Sequence, residues 1–170
     1  MSTPPYIPTL DPRFRPTPAQ VASFIKNRTV DTNNNYIGFF NADTVVTEDE
    51  VEQLIDLTGP MVLSALRWRE LPIPTIPDDN FPTVISLVAL LTACFVELTK
   101  FSEQIARQVS PYQSLKEQFD AMLKQKQAEL GITDTSSGGH VTIPDLIAAG
   151  SGLANFDFPE PEVVNWDTIL

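Results

Sequence analysis

The sequence is short of the side chains on which most enzyme chemistry depends. It contains one histidine, His140, and one cysteine, Cys94, among 170 residues. One residue of each type cannot supply a cysteine–histidine nucleophile pair or the usual ligand set of a zinc site. The glycines at 138–139 and at 150 and 152 lack the spacing and setting of a phosphate-binding loop. We therefore expect no enzymatic activity and no cofactor or metal, with His140 in a solvated loop.

Basic residues are also scarce, with 11 lysines and arginines against 22 acids and a net charge of −11. No run of Lys or Arg is present, so binding to nucleic acid through its phosphates is not expected. The first ten residues, MSTPPYIPTL, show neither the charged nor the apolar region of a secretory signal. One cysteine permits no internal disulfide. We expect folding in a reducing cytoplasm, with Cys94 as a small buried hydrophobe.

One long apolar run is present. Residues 84–96 read VISLVALLTACFV, and charged residues flank them closely on both sides. A membrane-spanning helix needs about 20 apolar residues, so we expect no membrane association. A helix that is apolar nearly all round must be surrounded by protein. The sequence therefore predicts a central helix over residues 81–108, capped by Asp79 or Asn80.

Three further helices are predicted from capping boxes, in which Ser or Thr is followed three residues later by Glu or Gln. The three pairs are Thr17 with Gln20, Thr47 with Glu50, and Ser110 with Gln113. The first helix is expected to end near Arg28. The second is expected to reach about Glu70, with a kink or break at Pro60. The third is expected to end at Gly131, because glycine favours the C-terminal cap.

The segment between the first two helices combines turn formers with aromatic residues. Residues 31–35 read DTNNN and residues 36–40 read YIGFF, which predicts a small hairpin or an ordered loop. Asp31, Asn33 and Asn35 are spaced as in the first half of a calcium loop. Tyr36 stands where that loop needs glycine, however, and Ala42 stands where it needs glutamate. We interpret the DTNNN spelling as a plain turn. The apolar side chains that follow it must be covered, and a neighbouring subunit is one candidate for what covers them.

Proline and charge divide the chain into three parts: an extended N-terminal arm (1–16), a helical body (17–131) and an extended acidic C-terminal arm (132–170). The C-terminal arm has six acids and no Lys or Arg, yet it also carries large apolar residues. Segments of this kind tend to order on a partner. The candidate partner-binding residues are therefore Tyr36, Phe39, Phe40, Phe156, Phe158, Val163, Val164, Trp166, Ile169 and Leu170.

The predicted fold is all-α. It is a small four-helix bundle with a central apolar helix, a short β-prone loop or hairpin, and the two extended arms. The pieces that define its order along the chain are PAQVASFIKNRT (18–29), GFFNADT (38–44), TEDEVEQLI (47–55), FVELTKFSEQ (95–104) and SPYQSL (110–115).

This order of pieces, over about residues 17–130, resembles the head-to-tail adaptor (head completion, or connector) proteins of long-tailed bacteriophages, particularly those of actinobacterial phages. The resemblance implies a homo-oligomeric ring, a dodecamer, beneath the portal protein, with a tail-side connector or stopper protein docking below it. It also implies that phage DNA passes through the ring without specific binding. The implied location is the head–tail junction of the virion, after assembly in the host cytoplasm.

Two functions of other classes stay open from the sequence alone. A small acidic protein can mimic DNA and inhibit a nucleic-acid enzyme, and the net charge of −11 motivates that hypothesis. The acids, however, cluster at helix starts and in the C-terminal arm. The second alternative is a phage assembly chaperone that is absent from the finished particle.

Overall fold

The computed structural model describes residues 9–68 and 77–132. This part of the chain is mostly helical and contains no β-strand, which confirms the all-α prediction. Within residues 9–68 and 77–132, two short 3-10 helices, Lys26–Arg28 and Asp78–Asn80, accompany five α-helices. These are α1 (Pro18–Phe24), α2 (Glu48–Ala65), α3 (Phe81–Lys100), α4 (Ser102–Ala106) and α5 (Tyr112–Glu129).

Helix α3 is the most deeply buried element. All of residues 87–97 are buried, and α3 packs against α1, α2, α4 and α5. Across the contact with α2, the hydroxyls of Thr58 and Thr92 are hydrogen-bonded at 2.7 Å, so both buried polar groups have a partner. The expectation that this apolar helix is surrounded by protein is confirmed.

Length and composition alone would nevertheless allow α3 to cross a membrane. The helix and its preceding turn, Asp78–Lys100, form 23 residues, and residues 80–96 carry no charge. The prediction that the run is too short was therefore wrong, because it counted only residues 84–96. Of the most apolar 18-residue window, 67% is buried inside the protein. The core helix of a soluble protein has the same character, so one such helix is weak evidence for a membrane.

Helix α3 ends earlier than predicted. It stops at Lys100 rather than near Gln108, because Phe101 leaves the helical conformation with φ −131° and ψ 29°. After the short α4, Gln108 adopts a left-handed φ of 57°, and the chain turns back toward α3. This reversal brings the Ser110 hydroxyl to within 2.6 Å of the Glu97 carboxylate. A contact of this kind depends on tertiary packing and leaves no periodicity in the sequence.

Helix α2 also differs from its prediction. It continues through Pro60 and ends at Ala65, so the chain is not broken at the proline and does not stay helical to about residue 70. Proline in a helix interior costs about 3 kcal/mol. Close packing outweighs this cost, because Met61 and Val62 on one side of Pro60 and Thr58 on the other are all buried.

Two of the three predicted capping boxes form, at Thr17 with Gln20 and at Thr47 with Glu50. The third does not form. The Ser110 hydroxyl accepts the N–H of Tyr112 at 3.1 Å, but the Gln113 side chain donates to Glu117 and does not accept the backbone N–H of Ser110. Ser110 is drawn away because its hydroxyl also donates to the Glu97 carboxylate.

The predicted cap at the start of α3 does not form, whereas the predicted cap at the end of α5 does. Neither Asp79 nor Asn80 caps α3 through its side chain, because both lie in the 3-10 helix that leads into α3. Gly131 ends α5 as predicted, with a φ of 66°. Its N–H bonds the carbonyl of Ala128 and the N–H of Ile132 bonds that of Gln127, the two hydrogen bonds of a Schellman cap.

Residues 9–16 of the predicted N-terminal arm lie against α2. The Asp56 carboxylate accepts the N–H groups of Thr9 and Leu10 at 2.8 Å each. The guanidinium of Arg15 pairs with Asp56 and with Glu52 on the same helix. One helix face therefore holds this stretch by charge-assisted hydrogen bonds.

Gly59 provides the space in which Leu10 packs on α2, and this contact leads to a stability prediction. A Cβ atom on Gly59 would lie 2.3 Å from Cδ2 and 2.8 Å from Cδ1 of Leu10. Replacing glycine by alanine in an exposed helix stabilises by about 1 kcal/mol. We expect the Gly59→Ala variant instead to lose stability, near the lower end of the about 1–3 kcal/mol typical of overpacking. Urea unfolding measures this difference.

A double-mutant cycle provides the control for this contact. The Leu10→Ala background lacks the side-chain atoms that would clash with a Cβ on Gly59. In that background, the Gly59→Ala substitution should therefore be neutral or stabilising. A Gly59→Ala variant more stable than the parent protein would show that Leu10 does not occupy this position.

Candidate interaction surface

The segment between α1 and α2 is an ordered loop. Two isolated antiparallel bridges, Val30 with Tyr36 and Asp31 with Thr44, connect its limbs, and no strand forms in the described residues. The hairpin prediction is therefore not confirmed, whereas the alternative of an ordered loop is observed. The chain reverses at Asn34, which has a left-handed φ of 65°.

Asp31 organises the first turn of this loop. Its carboxylate accepts the backbone N–H groups of Asn33 and Asn35 at 2.9 and 2.7 Å, and the Asn35 side-chain amide at 2.9 Å. These bonds, led by the Asn35 side chain, hold the pKa of Asp31 below its ordinary value. The Asp31 carboxylate, which suggested a calcium loop, therefore accepts hydrogen bonds from residues of its own turn. The described residues contain no group of three or more His, Cys, Asp or Glu side chains arranged to hold a metal.

A second turn closes the loop above α2. The Asn41 side chain accepts the N–H groups of Asp43 and Thr44 at 2.9 and 3.0 Å. The Thr44 hydroxyl in turn donates to the carbonyls of Asn41 and Val46, at 2.7 and 2.6 Å. Thr44 and Val46 are buried, so the base of the loop is part of the core while its outer face is not.

Three large apolar side chains of this loop face solvent. Tyr36 is 64% exposed, Phe39 is 54% exposed and Val45 is 46% exposed. We call these three residues the loop surface. The Tyr36 ring lies over Gly38, since a Cβ built on that glycine would be 3.5 Å from the ring. Apolar side chains held outward on a hydrogen-bonded loop are available for contact with another protein.

The structure places the other predicted partner-binding residues differently. Phe40 is 3% exposed and belongs to the core, so it anchors the loop and does not reach a partner. Its neighbours point outward because the chain turns at Gly38, which has a φ of 91°. The C-terminal candidates and His140 lie outside the described residues. They are Phe156, Phe158, Val163, Val164, Trp166, Ile169 and Leu170.

A buried ion pair holds the loop to α3. Nε and one terminal nitrogen of Arg28 lie 2.6 and 2.7 Å from the two carboxylate oxygens of Glu97. The Arg28 guanidinium also stacks on the Phe101 ring, 3.8 Å from its centroid. Ser110 donates a third hydrogen bond to Glu97, at 2.6 Å. Because Arg28 directly precedes the loop, this pair fixes where the loop leaves the helices.

Sequence reasoning missed this cluster. It placed Arg28 near the end of the first helix and treated the charged residues that flank the apolar run, of which Glu97 is one, only as its boundary. Glu97 is instead fully buried and Arg28 is 7% exposed. The available signal was a glutamate directly following a run that must be buried, since a buried charge requires a partner. The sequence could not identify that partner, which lies 69 residues away.

The turn between α4 and α5 is a second apolar site that the sequence did not predict. Val109, which directly follows the predicted central helix, is 69% exposed. Beside it is a pocket of about 430 Å³, lined by Ile105, Gln108, Ser110, Tyr112 and Gln113. The turn exists only because α3 stops at Lys100, so a prediction of continuous helix could not reveal it.

Cys94 lies in the middle of α3 and is fully buried. Burial, with a smaller contribution from the charge of Asp120, raises the pKa of its thiol to about 12. We expect Cys94 to be inert to a disulfide reagent in native buffer at mildly alkaline pH, and to react fully once urea unfolds the chain. Rapid reaction of the Cys94 thiol with the reagent before the chain unfolds would contradict this burial.

Comparison of the chain with protein-family models, with curated proteins and with solved structures finds no match.

Proposed function

We propose that this protein is a structural virion protein, a head-to-tail connector adaptor. In this proposal it forms a homo-oligomeric ring, a dodecamer, between the portal protein and the tail-side connector or stopper protein. The observation that carries the proposal is the loop surface, where Tyr36, Phe39 and Val45 are held exposed on a hydrogen-bonded, well-anchored loop. Interfaces are enriched in such aromatic side chains.

We infer the following architecture for the adaptor. Helices α1, α2, α3 and α5 form a four-helix bundle with α3 at its centre. The acidic residues 132–170 contact neighbouring proteins, whereas residues 9–16 of the N-terminal arm are held on α2 of the same chain. The packing of α3 against the other three helices supports the bundle. The apolar residues between 156 and 170 support a docking role for the C-terminal arm.

The charge of the chain fits a channel for DNA. Residues 132–170 contribute six of the 22 acids and none of the 11 basic residues. A ring lined by negative charge repels phosphates, so the genome can pass without adhering. The adaptor would then reside at the head–tail junction of the virion after assembly in the host cytoplasm, without a cofactor, a catalytic role or a membrane.

The test of this function is assembly with a portal. Full-length protein, mixed with purified portal rings, should add a ring-shaped layer visible by electron microscopy. A variant lacking residues 155–170 should keep the circular dichroism spectrum of the parent and lose the portal complex. A protein that stays monomeric and ignores the portal would refute the proposal.

Two measurements separate the alternatives. A DNA mimic would bind a nuclease or polymerase in a salt-sensitive manner. The described acids argue against mimicry, because Glu52, Asp56 and Glu97 are engaged in internal ion pairs. An assembly chaperone would be absent from purified virions, and mass spectrometry of the particles decides that question.

A further inference from the structure

The exposed large apolar side chains in residues 9–68 and 77–132 lie on two segments, the loop between α1 and α2 and the turn between α4 and α5, and both segments are bonded to the C-terminal end of α3. There are four, namely the loop surface and Val109. Arg28, which directly precedes the loop, binds Glu97 in the last turns of α3. Ser110, which directly follows Val109, donates to the same carboxylate at 2.6 Å. One buried side chain therefore anchors both apolar sites.

The start of α2 belongs to the same end. Glu50, in its first turn, pairs with Lys100, the last residue of α3. Val45 lies two residues before Thr47, the N-cap of α2. The loop surface and Val109 are therefore carried by segments that are anchored at the C-terminal end of α3. We call these four residues the end face.

The segments that carry the end face have more acidic than basic side chains accessible to solvent. Asp43, Glu48, Asp49 and Glu103 are all exposed, and Asp31 is half-buried. The only exposed cations on the elements that form this end are Lys26, Lys100 and Arg107 among the described residues. Lys100 is already paired with Glu50. An apolar centre within a negatively charged rim is complementary to an apolar surface with a positively charged rim.

From this arrangement we propose that the end face docks a different protein, one that presents an apolar surface bordered by lysine and arginine side chains. The rings of Tyr36 and Phe39 are its apolar anchors, and Val109 with the adjoining pocket forms the other half of the contact. The acidic rim sets the orientation and speeds association, while the apolar centre supplies most of the affinity.

A second copy of this chain does not fit the same face. A symmetric contact would bring the two acidic rims together, and each chain carries a net charge of −11. Juxtaposed like charges are unfavourable at an interface. This inference rests on the proposed function in assigning the loop surface to a contact. Within the proposed ring, it places the contacts between copies elsewhere and gives the end face to the portal or the tail-side protein.

A synthetic amphipathic peptide with leucines on one face and lysines along its edges is the probe. It is titrated into the ¹⁵N-labelled full-length protein and followed by amide chemical shifts. We expect saturable binding in which the amides near Tyr36, Phe39, Val45 and Val109 shift together. The same peptide with glutamates at its edges should bind at least about tenfold more weakly, a difference of about 1.4 kcal/mol.

Variants then measure separately how much the loop surface, Val109 and the acidic residues contribute to binding of the peptide. Phe39→Ser and Val109→Ser should each weaken binding of the lysine-edged peptide about tenfold, the effect of losing an interface anchor. Both positions are exposed, so folding should be retained. Ala128→Ser, an exposed change near the other end of α5, is the matched control and should bind as the parent does. The double variant Asp43→Asn, Glu103→Gln should reduce the preference for lysine over glutamate edges.

Three outcomes would overturn the proposal. Equal affinity for the lysine-edged and glutamate-edged peptides would show that charge does not contribute to recognition. Shifts in the loop without shifts at Val109 would show that the four residues are not one face. Shifts of these amides with protein concentration alone would identify a second copy as the occupant. Portal rings that still form in any of these cases would leave the adaptor function standing, whereas peptide binding without portal rings would refute only that function.

Discussion

The Leu91→Asn variant is expected to be largely unfolded in native buffer. Leu91 is fully buried on α3, between Leu90 and Thr92, which are also buried. Removing a buried leucine side chain costs about 2–5 kcal/mol. Burying an amide without a partner adds about 1–3 kcal/mol. Together these costs approach the whole stability of a typical domain, about 5–15 kcal/mol. An asparagine at Leu90 should act in the same way.

Circular dichroism and the dispersion of amide resonances measure this loss of structure. Leu91→Met is the matched control, because it nearly conserves volume and should cost less than about 1.5 kcal/mol. A Leu91→Asn protein with the parental urea midpoint would mean that α3 is not the centre of the core. It would also reopen the question of what surrounds the apolar run.

The second large effect is expected from Glu97→Ala. The substitution leaves the Arg28 guanidinium buried without its carboxylate and removes the acceptor of the Ser110 hydroxyl. Breaking a buried ion pair from one side costs about 3–5 kcal/mol, because an uncompensated charge remains inside the protein. Urea or thermal unfolding should show a loss of that size. Amide shifts should also spread into residues 29–46, since Arg28 holds the base of the loop.

Two controls distinguish this mechanism from general damage. Lys100→Ala removes a pair whose side chains are 36% and 35% exposed, and a surface pair contributes only about 0–1 kcal/mol. The double variant Arg28→Met, Glu97→Leu removes both buried charges and should recover most of the stability. A Glu97→Ala protein no less stable than Lys100→Ala would show that the buried pair does not hold the loop and helices together.

Much of the helical architecture could be predicted because its causes are local. The capping boxes at Thr17 and Thr47 satisfy backbone groups through side chains three residues away. Gly131 ends α5 because its φ of 66° is easy for glycine. The burial of α3 followed from its composition, since a helix without a polar face has no side to present to water.

The sequence predicted part of the candidate site, namely Tyr36 and Phe39, but not the burial of Phe40 or the exposure of Val109. Tyr36 and Phe39 were recognised as apolar residues in a turn-rich segment and are indeed exposed. Phe40 has the same chemistry and is buried, because the turn at Gly38 decides which rings point outward. Val109 was missed, since its exposure depends on a chain reversal that contradicts the local helical pattern.

The sequence by itself determined where helices begin, which one lies in the core and that a loop carries surplus aromatic residues, because nearest neighbours and composition decide those features. The tertiary structure alone decided that α2 continues through Pro60, that α3 stops at Lys100 and that the segments carrying both apolar sites are bonded to Glu97. Each of these depends on contacts distant in sequence. The buried Glu97 is the clearest case, since it joins Arg28 and Ser110 and only folding brings the three together.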